Sequence, residues 1–253
     1  MAIETTYSDN KEIITITLDR PQYANALDKE SVESLISAVD EACNSSARLL
    51  VFKGNGKSFC GGFDLREIDS ETDGSLAYRF LRLELLLQKI YYAPIHTLAL
   101  AHGPVAGAGA DIVAACKKRV VVGDATFRFP GVQFGVLLGT NRLRNLIGQH
   151  AYAYLLEQQR ITVNDGLTNG FVHEVISESE QDKVVDTLYA NIKRVSPTTS
   201  AHILQLDKQQ GLIDMGLLAN SVANPNFIQQ VRQYWANAKA LAKKKAQSAK
   251  ANA

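Results

Sequence analysis

Four short runs of aliphatic and β-branched residues alternate with stretches of helical spacing, and this alternation most constrains how the 253-residue chain can fold. Ile13-Ile14-Thr15-Ile16-Thr17-Leu18 is a β-branched strand, and Arg20-Pro21 turns the chain after it. Asp28 can cap a helix running through Cys43, with Val32, Leu35, Ile36 and Val39 on one face. Leu49 to Lys53 is a second strand, closed by Gly54-Asn55-Gly56. Leu76, Phe80, Leu83 and Leu87 set a helix through Tyr92 that Pro94 stops. His96 to Ala101 is a third strand, a helix spans about Ala110 to Cys116, and Arg119 to Val122 is a fourth strand. Strands that alternate with helices pair in parallel through right-handed crossovers, so the expected class is α/β.

The pattern changes near the end. From Pro197 onward the apolar residues are helically spaced: Ile203, Leu206, Leu212, Met215, Leu217, Leu218, Phe227, Val231, Tyr234 and Trp235. A short helical tail offers these faces few partners, so they are expected to pack on another subunit. The division expected is a core over 1–195 and a helical oligomerisation region over 196–253. Lys239, Lys243, Lys244, Lys245 and Lys250 end the chain and read as a solvated, fraying helix end.

Charge and cysteine content exclude several classes. The chain has 27 basic and 26 acidic side chains, a net charge of +1, and lacks the basic excess of a nucleic-acid footprint. Cys43, Cys60 and Cys116 are widely spaced and form no CxxC, which argues against a disulfide framework or a cysteine zinc site. The five histidines show no HxxxH spacing, and no metal is expected. The first residues carry acids and no apolar core, unlike a signal peptide. No run of about 18 apolar residues occurs. A cytoplasmic protein is expected.

Two glycine-rich turns carry the chemistry. One is Lys57-Ser58-Phe59-Cys60-Gly61-Gly62-Phe63-Asp64-Leu65; the other is Gly103-Pro104-Val105-Ala106-Gly107-Ala108-Gly109-Ala110-Asp111, leading into a helix. The second is not a Walker loop, because no GK[ST] follows. It is not a dinucleotide fingerprint either, because Ile112 stands at the third glycine position. Such turns offer bare backbone N–H groups, the second at a helix N-terminus. Two N–H groups converging on one oxygen would form an oxyanion hole.

In series, the motifs resemble the crotonase (enoyl-CoA hydratase/isomerase) superfamily. They are Arg20-Pro21 with Asn25-Ala26-Leu27, Val51-Phe52-Lys53-Gly54, both glycine-rich turns, Ala125-Thr126-Phe127-Arg128-Phe129-Pro130, Gly139-Thr140-Asn141-Arg142-Leu143, Ile147-Gly148, and Gly166-Leu167 through Val172-His173-Glu174-Val175. The resemblance covers about residues 10–180. It implies a crotonase-like spiral of ββα units with a C-terminal helical trimerisation region, and a homotrimer or a hexamer built as a dimer of trimers. It also implies an acyl-CoA thioester substrate with no separate cofactor, coenzyme A being part of the substrate. The implied oxyanion donors are the Phe63 and Ala108 amides, with alanine where the family usually has glycine. The implied coenzyme A contacts are Ala24, Asn25, Asp64 and Leu65, mainly through backbone, and Arg66 toward phosphate.

The chain departs from the hydratase pattern. Of the two carboxylates that reversible hydration uses, the first position is Asp111, one methylene shorter than glutamate, and the second is Gly131. The run Gly135-Val136-Leu137-Leu138-Gly139 is short, apolar and free of carboxylates. Asp111 in a helix's first turn could merely cap it; as an acid/base, the helix dipole is expected to lower its pKa. His102 and His96 read as structural. Arg128 and Gln133 flank the vacant position, and Phe127 and Phe129 facing inward would turn Arg128 away. Tyr78, Arg82 and Glu84 are candidates for the acyl pocket. One carboxylate can shuttle a proton between two carbons, so double-bond isomerisation is favoured over hydration. The alternatives are decarboxylation or C–C cleavage and, in a different class, a catalytically silent acyl-CoA- or RNA-binding protein.

Overall fold

The computed structural model describes residues 2–251; Met1, Asn252 and Ala253 lie outside the described residues, as do the side chains of Ala249, Lys250 and Ala251. A strand that the sequence pattern did not announce comes first: β1 (Ile3–Tyr7). It is polar and largely exposed, so it shows no apolar run, and it lies at the sheet edge antiparallel to β2 (Ile13–Leu18). The alternation Ile14, Ile16, Leu18 of β2 points into the core. α1 (Lys29–Asn44) follows, and the Asp28 carboxylate accepts from the Ser31 amide at 2.8 Å, as the capping residue implied.

β3 (Leu49–Gly54), β4 (His96–Ala106), β5 (Lys118–Arg128) and β6 (Glu174–Ile176) extend the sheet in chain order, each parallel to its neighbour. β3 is buried on both faces, as a parallel interior strand must be. α2 (Asp73–Tyr91), with a Thr72–Ser75 capping box, packs on α1, and α3 (Ala108–Ala115) joins β4 to β5.

β4 and β5 run past the ends expected at Ala101 and Val122. Their register shifts between Ala101 and Gly103, and pairing resumes from Gly103↔Ala125 to Ala106↔Arg128. Gly103 (φ +63°) bends the strand against the Lys57 carbonyl, where a Cβ would collide. Half of what looked like a turn is therefore strand, and it delivers Gly107 and α3 to the first glycine-rich loop.

After β5 come α4 (Thr140–Ile147), α5 (Ala151–Leu155), α6 (Val163–Asn169), α7 (Gln181–Ile192) and α8 (Pro197–Leu204). α9 (Gln210–Val222) and α10 (Phe227–Ala251) complete the described chain. One sheet face carries the main core against α1, α2 and α3; the other packs Leu49, Val51, Leu98 and Leu100 against α7. The C-terminal helices divide in two. Leu218, Val222, Phe227, Ile228 and Val231 are buried in the main core, each apolar side chain contributing about 1.5–3 kcal/mol. Ile203, Leu206, Leu212, Ile213 and Leu217 remain 40–81% exposed. The tail thus docks on its own parent domain as well as presenting a free apolar face.

Candidate active site

Two loops meet above α3, and a buried asparagine fixes the first. Asn25 Nδ2 donates to the carbonyls of Asn55, Ser58 and Phe59 at 2.8, 2.8 and 3.2 Å, while its Oδ1 accepts from the Arg20 amide at 2.7 Å. Gly61 N–H donates to the Ala24 carbonyl, Leu27 N–H to the Gly62 carbonyl, and Asp64 N–H to the Leu27 carbonyl, at 2.7, 2.7 and 3.0 Å. Backbone groups on both sides of Phe63 are thereby tied down. Ala106 N–H reaches the Cys60 carbonyl at 3.1 Å and locks the second loop onto the first.

Gly62 (φ +94°) is the point of closest approach. A Cβ there would collide with the Ala106 carbonyl and lie 3.3 Å from the Ala108 amide nitrogen. Neither the Phe63 nor the Ala108 N–H has a hydrogen-bond partner among the described residues. Both residues line one cavity of about 150 Å³. Ala108 is itself buried, so the methyl that replaces the family's hydrogen is accommodated. Two free donors at a cavity wall have the chemistry to hold a developing oxyanion.

Asp111 lines the same cavity from the first turn of α3, and it is 4% exposed. No hydrogen-bond donor among the described residues reaches its buried Oδ1. The Gly139 backbone covers it so closely that a Cβ there would overlap Oδ1 and stand 2.8 Å from Cγ. Burial pushes the carboxyl well above the ordinary aspartate value; Arg142 opposes the shift and Glu84 adds to it. This corrects the expectation that the helix dipole lowers its pKa. The dipole contributes about 0.3–1 kcal/mol at a first turn, whereas full burial moves a carboxyl by up to about 3–5 pH units.

The rest of the wall is apolar. Phe80, Phe134 and Leu138 share it with Tyr234, Trp235 and Ala238 of α10. Phe80 stacks on Phe63 at 4.4 Å between centroids, and Phe134 meets Tyr234 at 4.7 Å. The sequence pattern had assigned Tyr234 and Trp235 to a subunit contact. The helical spacing of Val231, Tyr234, Trp235 and Ala238 puts them on one face of α10, but that spacing alone does not say what the face covers. Gly131 lines the cavity and brings no carboxylate. Phe127 and Phe129 are buried as alternation implied, and Gln133 is exposed. Tyr78 is exposed, Arg82 pairs with Glu33 at 2.7 and 2.5 Å, and Glu84 pairs with Arg142; none lines this cavity.

The residues assigned to the coenzyme A arm behave differently from one another. Leu65 lines the cavity. Ala24 is exposed, with φ +51°, and its carbonyl holds Gly61. The Asn25 side chain is buried and spent on backbone, its N–H donates to the Arg20 carbonyl at 3.0 Å, and its carbonyl accepts from Cys60 Sγ at 3.2 Å, so only the remaining lone pair of that carbonyl could serve a ligand. Burial disfavours the Asp64 carboxylate, but Arg66 and Arg20 outweigh burial and hold its pKa below the usual range. Arg66 Nη2 meets Asp64 at 2.6 Å, and its guanidinium lies 3.5 Å over the Tyr23 ring. His102 Nε2 lies 3.0 Å from the Gly56 carbonyl, a structural contact. His96 Nδ1 is buried without a partner among the described residues, and burial lowers its pKa. No group of three or more His, Cys, Asp or Glu among the described residues is arranged to hold a metal, and no helix among them is long and apolar enough to cross a membrane.

Known proteins share this architecture. The sequence signature described as enoyl-CoA hydratase/isomerase matches residues 8–249. A protein of Mycobacterium tuberculosis (strain CDC 1551 / Oshkosh) named as the enoyl-CoA hydratase echA6 is 31% identical over 206 residues, covering 80% of this chain and 81% of that one. A Rhodobacter capsulatus protein, also named as an enoyl-CoA hydratase, is 31% identical over 68% of each chain. A solved structure from Bordetella parapertussis, described as an enoyl-CoA hydratase/isomerase, superposes with a TM-score of 0.89 at 35% identity and covers 93% of this chain and 99% of its own. The chain therefore belongs to the enoyl-CoA hydratase/isomerase family, with the crotonase fold that its ordered motifs implied.

Proposed function

We propose that the protein binds an acyl-CoA thioester and moves a carbon–carbon double bond through an enolate. The observation that carries this is the meeting of two unpaired backbone donors and one unpaired buried carboxyl around a single apolar cavity. The Phe63 and Ala108 amides hold the thioester oxygen, which acidifies the carbon beside the carbonyl. Each such donor is worth about 2.7–4 kcal/mol in the transition state. The Asp111 carboxylate takes a proton from one carbon, the electron pair delocalises onto the thioester oxygen as a dienolate, and Asp111 returns the proton to the other carbon. Burial raises the proton affinity of Asp111, and so strengthens it as a base.

Hydration needs a second group to hold water while the first handles the carbon. Gly131 offers none, and the place a side chain there would take is bounded by Val136. The volume matches that of apolar cavities that take up a benzene-sized guest, so a short acyl chain is the substrate class. Ala24 and Asn25 backbone, Asp64, Leu65 and Arg66 would carry the coenzyme A arm. The exposed apolar face of α8 and α9 is the surface for assembly into a trimer or hexamer.

Incubation with a short 3-enoyl-CoA and with a 2-enoyl-CoA tests the reading. Isomerisation gives the conjugated thioester absorbance at unchanged mass. Addition of water to the 2-enoyl-CoA without isomerisation of the 3-enoyl-CoA contradicts it. Trp235→Ala, which opens the cavity end, should raise kcat/KM for a longer acyl chain relative to a short one by about tenfold.

A further inference from the structure

A buried charge cluster sits behind Asp111, outside the groups used above. Arg142 of α4, 3% exposed, donates through Nη1 and Nη2 to Glu84 of α2 at 2.8 and 2.6 Å and through Nη1 to Asp214 of α9 at 3.0 Å. Glu84 is fully buried and also accepts from Gln88 at 2.8 Å. Asp214, 5% exposed, also accepts from Asn141 at 2.9 Å. Arg142 follows Gly139, whose backbone covers the Asp111 carboxyl, by one helical turn. No hydrogen bond links Arg142 to Asp111 among the described residues.

The charge count decides where a proton must sit. One guanidinium faces three buried carboxyls. Glu84 receives three hydrogen bonds and Asp214 two, whereas Asp111 receives none. A buried carboxylate without donors is the costly one to ionise. The charged groups acting on Asp111 among the described residues are Arg142 from α4 and Glu84 from α2; Asp214 acts from α9 through Arg142.

We propose that Glu84 and Asp214 are positioning residues: by engaging both Nη groups of Arg142, whose buried Nε has no partner among the described residues, they hold its guanidinium off Asp111, which therefore holds a proton tightly enough to take one from carbon and give it back. A carboxylate paired directly with an arginine would be too weak a base for that exchange. The chemical role of the proton rests on the function proposed above; its location does not, so the two can be tested apart.

The first measurement needs no substrate. The infrared difference between the full-length protein and Asp111→Asn isolates the protonated carboxyl band of Asp111, which is followed against pH. The band should persist to pH values well above the ordinary aspartate range. Asp214→Asn keeps shape and removes one claim on Arg142, and it should move the loss of the band down by about 1–3 pH units. Glu84→Gln should move it in the same direction and serves as the second variant should the first not fold. A wild-type carboxyl already ionised just above the ordinary range, or a band unmoved in the folded variants, overturns the proposal. The second measurement is the pH dependence of kcat with a short 3-enoyl-CoA, whose rising limb should move with the band. A band that shifts in a protein inactive at every pH leaves the positioning role standing and removes the isomerase reading.

Discussion

Asp64 and Asp111 are buried almost equally, at 6% and 4% exposure, yet the structure treats them in opposite ways. Asp64 ends the first glycine-rich loop between Arg20 and Arg66, at 3.3 and 2.6 Å, and its pKa is held below the usual range. Asp111 opens α3 with no donor on its buried oxygen, and its pKa is pushed well above that range. Burial pushes both carboxyls up; Arg66 and Arg20 overturn that push at Asp64, whereas Arg142, which makes no bond to Asp111, does not overturn it there. Asp64 fastens a loop. Asp111 suits chemistry at a cavity wall.

Four substitutions test this contrast. The largest effect is expected from Asp111→Ala, which should lower kcat for 3-enoyl-CoA isomerisation by about 10²–10⁴-fold while binding of the thioester persists. Turnover equal to wild type would remove the residue from the mechanism. Next comes Asp64→Asn, which should cost about 1.5–3 kcal/mol in urea unfolding, chiefly through the well-buried Arg20 contact. At this chain length each kcal/mol corresponds to about 2–4 °C in Tm.

The two acids should also leave opposite marks on stability against pH. The folded-state pKa of Asp64 lies below its unfolded value, so its stabilisation is present above the ordinary aspartate pKa and is lost as pH falls through the folded value. Asp64→Asn should therefore lag wild type at neutral pH and converge with it in acid. Asp111 lies above its unfolded value, so the folded chain binds the extra proton and stability falls as pH rises toward the folded value. Asp111→Asn should gain Tm over wild type progressively across that window. Parallel slopes in a thermal series from acid to neutral pH would contradict the contrast. The smallest effect belongs to Arg66→Gln. Its side chain is 41% exposed, and solvent screens its pair with Asp64, so the urea midpoint should stay close to that of wild type.

How much of this was legible in the chain follows from where the information sits. The β-branched run of β2, the apolar run of β3, the Asp28 cap and the Pro94 stop are local, and they fold as written. β1 is a polar edge strand without an apolar stripe, and β4 and β5 hide their second halves behind glycines that bend the strands where they resemble turns. The unpaired Phe63 and Ala108 amides could be located by motif, because backbone position tracks loop order. The protonation of Asp111 could not, since it depends on Gly139, Arg142, Glu84 and Asp214, brought together from three helices and a loop. The α10 wall escaped for a related reason. Tyr234 and Trp235 have the spacing of any amphipathic helix, and only the packing of Phe227 and Val231 into the core aims them at the cavity.

The most direct test is a crystal soaked with acetoacetyl-CoA, a substrate-like thioester. Its thioester oxygen is expected about 2.7–3.1 Å from both the Phe63 and Ala108 nitrogens, with an Asp111 oxygen against the neighbouring carbon. A bound thioester whose oxygen meets neither amide, or whose reacting carbon faces away from Asp111, would contradict the site described here.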